Sequence, residues 1–131
     1  MTAVNATELA ECVRRATETA LAFYDWLSQE LGKSSLVGRP DDCNYCPMAL
    51  FLKQFLMQKG YHLPFISVTS DVISVRVGEV VCEVPAPPWV ARFEEALIEQ
   101  CERDHRQWAT PQTAMDVLER SLLRCDFAAK E

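Results

Sequence analysis

Glycine, histidine and long apolar runs are all scarce in this chain. Its 131 residues include four glycines and two histidines. So few glycines argue against a glycine-rich phosphate cradle, and neither a His-Glu-x-x-His nor a Gly-x-Ser-x-Gly pattern occurs. No apolar run is longer than that from Met48 to Leu52, far below the ~20 residues a membrane-spanning helix needs. Met1 to Arg15 holds no apolar stretch of the kind a secretory leader carries, so the expectation is a soluble, cytoplasmic protein. Basic residues are outnumbered as well, 13 against 19 acidic, for a net charge of −6. Nucleic acids and anionic membranes are bound largely through Lys and Arg set against phosphates, so neither is an expected partner.

Apolar residues are plentiful, at 49% of the chain, which predicts a full core. A length of 131 residues suits one domain, expected over 1–131. Leu9, Val13, Ala16, Ala20, Phe23, Leu27 and Leu31 recur every three or four residues within a stripe about 80° wide, which predicts one helix over residues 6–31. Asn5 and Glu8 match a capping box at its start, and Gly32 suits its end. A second helix is predicted over 44–59, with Asp42 or Asn44 as cap, Pro47 in its first turn and Gly60 at its end. It is apolar nearly all round, which places it at the centre of the core.

Three short strands follow, over 65–69, 72–77 and 80–84, the last two joined at Gly78-Glu79. Ile73, Val75 and Val77 alternate with Ser74 and Arg76, the mark of a sheet with one face buried. A helix over 87–106 buries Val90, Phe93, Leu97 and Cys101, and a last helix over 111–125 buries Met115, Leu118, Leu122 and Cys125. The fold class is α+β, in the order α-α-β-β-β-α-α.

Six cysteines are many for a chain of this kind. Cys12, Cys82, Cys101 and Cys125 fall on or beside apolar faces, where cysteine packs as a small hydrophobe. Cys43 and Cys46 stand apart, in Cys-Asn-Tyr-Cys-Pro at the start of the second helix. Three readings are open for them. They can pack as plain thiols. They can be half of a zinc site, with the other ligands drawn from scattered residues such as His62, His105, Cys82 or Cys101, since zinc takes four. They can be a thiol–disulfide pair, because three positions along a helix bring two Cα atoms within disulfide range. Over residues 43–46 the motif resembles the thioredoxin and glutaredoxin active site, and that resemblance implies thiol–disulfide exchange. Those families place the motif directly after a buried strand, and residues 34–42 do not read as one.

Other constellations are thin. His62 and His105 have no nucleophile at a telling spacing; the loop pair Asp41/Asp42 reads as solvated caps, the helical pair Glu94/Glu95 points in different directions, and neither pair supports an acid–base role. A winged helix-turn-helix would offer only Lys53, Gln54, Gln58, Lys59 and Arg76 to DNA, which is too few. Trp26 and Leu21 flank the first helix's stripe, and Trp89 lies off the inward arc of the helix over 87–106. Large apolar groups at the margin of a buried face mark partner surfaces. The expected function is therefore a small acidic accessory or protein-interaction module without catalytic activity, binding another protein or itself through Trp26, Leu21 and Trp89. The alternatives are a zinc or redox site at Cys43 and Cys46, and a winged-helix nucleic-acid binder.

Overall fold

A computed structural model describes residues 4–33 and 36–122. It contains five helices and a three-stranded sheet in the order α1 (Ala6–Thr17), α2 (Leu21–Glu30), α3 (Pro47–Gln58), β1 (Phe65–Val68), β2 (Val72–Val77), β3 (Val80–Pro85), α4 (Pro88–Arg103) and α5 (Pro111–Ser121). The fold is α+β, with three helices before the sheet where the sequence predicted two. Among the described residues no helix is long and apolar enough to cross a membrane.

The predicted helix over 6–31 is interrupted after Thr17 although its stripe is continuous. Leu9, Val13, Ala16, Ala20, Phe23 and Leu27 are all buried, whereas Leu31 is exposed. The interruption has a tertiary cause. In an unbroken helix the Thr17 carbonyl would accept from Leu21 N. Here it accepts instead from the indole Nε1 of Trp89, at 3.0 Å, and Leu21 N turns to Thr19 Oγ1. Thr17 Oγ1 also bonds back to the Val13 carbonyl at 2.9 Å, a contact that bends helices. Trp89→Phe keeps the ring's apolar burial and leaves the buried Thr17 carbonyl without its donor. It is expected to cost about 1–3 kcal/mol in chemical denaturation, and a loss below the error of the measurement would refute this account of the break.

Capping follows local rules at the starts of α1 and α5. Asn5 Oδ1 accepts from Thr7 N and Glu8 N, and Thr110 Oγ1 accepts from Thr113 N. The second predicted helix begins later than expected. Its cap is Cys46, not Asp42 or Asn44, and Pro47 takes the first helical position. Asp42 and Asn44 are occupied elsewhere: Asp42 Oδ1 accepts from Asn44 N, and Asn44 Nδ2 donates to the Ile66 carbonyl.

The sheet is an antiparallel meander, β1-β2-β3. Val75 pairs with Ile66 on one side and Cys82 on the other, and Ile73 with Val68 and Val84. These residues and Val77 form the buried face, as the alternation predicted. α1 lies against β3, α3 against β1, and α5 against α2 and α4. The buried side chains form one cluster. Phe23 is at its aromatic centre, with ring centroids 5.1 Å from Phe93, 5.5 Å from Phe51, 6.0 Å from Trp26 and 6.1 Å from Trp89.

The segment before α3 is a strap tied to three places. Val37 N donates to the Ala109 carbonyl and Ala109 N to the Gly38 carbonyl, both at 2.8 Å. Arg39 N donates to the Tyr45 carbonyl at 2.9 Å, folding residues 39–45 back on themselves. Val68 N donates to the Cys43 carbonyl at 2.9 Å, so Cys43 and Asn44 together satisfy part of the outer edge of β1.

Candidate functional site

Among the described residues, two places stand out for the chemistry-bearing side chains they bring together. The first is the end of the strap. Cys43 is exposed in the turn over 43–45, outside the helix on which the sequence reading had set it. Cys46 is 1% exposed, and its Sγ accepts from Ala49 N at 3.4 Å. The sulfur also contacts the carboxyl of Glu94 on α4. Burial first, and then the neighbouring Glu94 charge, push the Cys46 thiol far above the ordinary range. At neutral pH it is therefore a protonated thiol capable of donating to Glu94.

Glu94 is the residue that sequence reasoning missed. Although the residue is half-buried overall, its Oε1 is fully enclosed and has no hydrogen-bond partner. Burial raises its carboxyl from the usual 4.5 to about 7, against the opposing effect of the bond with Cys46. A signal was present in the sequence. Glu94 stands four residues after Val90 and three before Leu97, which places it at the margin of the inward arc, while Glu95 points out.

The other cysteines do not join this site. Cys82 and Cys101 are buried in the core, and burial raises both thiols. Cys12 is half-buried on α1 and contacts the Tyr61 hydroxyl, which burial and then this thiol shift upward. Cys125 lies outside the described residues. All five described cysteines are free thiols. No group of three His, Cys, Asp or Glu side chains that could hold a metal ion gathers among the described residues. His62 and His105 are exposed; His105, just past α4, has a φ of 55°.

The second place is a groove of about 210 Å³ between α2 and α3. Trp26, Phe51 and Phe55 give it an aromatic lining, with Trp26 and Phe51 centroids 5.9 Å apart and Phe51 and Phe55 6.0 Å apart. Gln29, Gln54 and Gln58 add carboxamides, and Asp25 is the one charged side chain among the described lining residues. The Trp26 indole is fixed by donating to Gln54 Oε1. Of the three residues expected to meet a partner, Trp26 lines this groove and Leu21 is exposed at the start of α2. Trp89 must be withdrawn. It is 2% exposed, with its ring against Phe23 and its indole N–H spent on Thr17, so it serves the core.

No family model, curated protein or solved structure matches this chain.

Proposed function

We propose that the protein is a non-catalytic interaction module whose α2–α3 groove receives one large apolar side chain of a partner protein. The observation that carries this reading is the aromatic lining, with a Trp held in place by Gln54 and left half-buried at the surface. Trp is enriched where binding energy concentrates, and a fixed ring loses little freedom on binding. A volume of about 210 Å³ suits a single bulky side chain. Asp25 beside it, in a chain of net charge −6, favours a Lys or Arg next to that anchor. The same charge balance favours a protein over a nucleic acid.

A photo-crosslinking residue placed at Gln58, in cells that make the protein, tests the reading. Discrete adducts with another protein are expected, and none from the same probe at Glu83 on β3. The crosslinked peptide should carry an aromatic or large aliphatic residue next to Lys or Arg. A synthetic copy should quench Trp fluorescence and bind Trp26→Ala about thirtyfold more weakly, the ~2 kcal/mol of a central anchor, with circular dichroism confirming the variant's fold. Adducts of the chain with itself alone, or equal adducts from both positions, would sink the proposal.

A further inference from the structure

We propose that Cys43 and Cys46 form a reversible disulfide by exchange with a low-molecular-weight disulfide, and that Glu94 takes the proton from Cys46. The two sulfurs have unequal access: Cys43 is exposed and Cys46 is enclosed. Only Cys43 can meet an external disulfide first. Cys46 is enclosed beside the Glu94 carboxyl, whose Oε1 is buried without a hydrogen-bond partner. A partnerless buried carboxyl oxygen is costly, and a proton acceptor beside a buried thiol is a use that accounts for it. The two lie close along the chain: Cys43 is in the turn over 43–45 and Cys46 follows it directly, so closing the bond requires the Cα atoms to stand within the ~7 Å a disulfide spans. Cys43 is held there by its carbonyl bond to Val68 N.

The exchange runs in two steps. The Cys43 thiolate attacks one sulfur of glutathione disulfide, forming a Cys43–glutathione mixed disulfide and expelling one glutathione thiolate. Cys46 then leaves its place at the Ala49 N–H and attacks the Cys43 sulfur as its S–H proton passes to the Glu94 carboxylate, the bond to glutathione breaks, and a second glutathione thiolate departs. Two electrons pass from the protein's two thiols to one glutathione disulfide, and both glutathione thiolates are protonated by solvent or buffer. Glu94 is suited to the second step because its carboxyl, raised to about 7, is partly ionised at neutral pH and returns the proton readily.

Reduced full-length protein incubated with glutathione disulfide, quenched with acid at intervals and mapped by peptide mass, tests this. In the wild type the peptide carrying both cysteines should become two hydrogens lighter, with little glutathione adduct at any time. Cys46→Ser, whose hydroxyl can still cap α3, should stop at a persistent adduct on Cys43. Cys43→Ser should leave Cys46 unmodified. Glu94→Gln should attach glutathione to Cys43 at the wild-type rate, then hold the adduct about a hundredfold longer, the loss expected for a missing general base. The normal first step shows that the variant is folded and its surface intact. The proposal is overturned by a stable wild-type adduct on Cys43, by a light peptide linking other cysteines in place of this pair, or by Glu94→Gln closing the disulfide at the wild-type rate.

Discussion

Glu94→Gln is expected to stabilise the protein above neutral pH and to flatten its pH dependence. The carboxyl ionises near its usual 4.5 in the unfolded chain and at about 7 in the folded one. Between those values the folded protein keeps a proton that the unfolded chain has released. Stability therefore falls as pH rises through this window. Below it both states are protonated and nothing is lost. Above it both are ionised, and the loss is complete at about 3 kcal/mol, from ~1.4 kcal/mol for each pKa unit. Glutamine stays neutral throughout and avoids that loss. Denaturant titrations at about pH 5 and about pH 8 should show the variant ahead by under ~1 kcal/mol at the first and by about 3 kcal/mol at the second. The exposed neighbour is the control, and Glu95→Gln should track the wild type. A wild type equally stable at both values would show that the carboxyl is not buried in solution.

Gly38→Ala should be among the most damaging single-methyl additions in the chain. Gly38 has a φ of +114°, a backbone conformation that strains any L side chain. Its Cβ would also lie 2.3 Å from the Tyr45 carbonyl oxygen and 3.1 Å from the Cys46 carbonyl carbon. These are backbone atoms, and the Tyr45 oxygen is held by Arg39 N, so the strap cannot yield without losing that bond. Strain and clash together are expected to cost about 3 kcal/mol or more. The displaced strap should also let an alkylating reagent reach Cys46 in the native state. Gly32→Ala, where a Cβ meets nothing within 4 Å, should stay within about 0.5 kcal/mol of the wild type. Equal stabilities for the two variants would refute the close approach at Gly38.

Features set by neighbours in sequence were legible from the residues. The alternation of Ile73, Val75 and Val77, the turn at Gly78, and the cap at Asn5 each depend on a few adjacent side chains. Features set by distant residues were not. The end of α1 depends on Trp89, which lies 72 positions on from Thr17. The late start of α3 reflects the diversion of Cys43 and Asn44 to the edge of β1, a demand that exists only once the sheet has formed. At the candidate sites, Trp26 was visible as a large group off the stripe, but the groove needs α3 alongside it. Cys46 was visible as a motif. The carboxyl that gives it chemical interest lies on α4, and no local spacing ties it to the cysteine.

The paired bonds between Val37, Gly38 and Ala109 carry a consequence for synthesis. A ribosome delivers the chain in order, and residue 109 emerges long after α3 and the sheet. Until then the strap lacks one of its anchors, and α2 lacks its contact with α5. Nascent chains halted before residue 109 should therefore be cut by protease within 36–46, and chains halted well beyond α5 should resist. The half-made protein is thus most vulnerable at the very segment that carries its two distinctive cysteines.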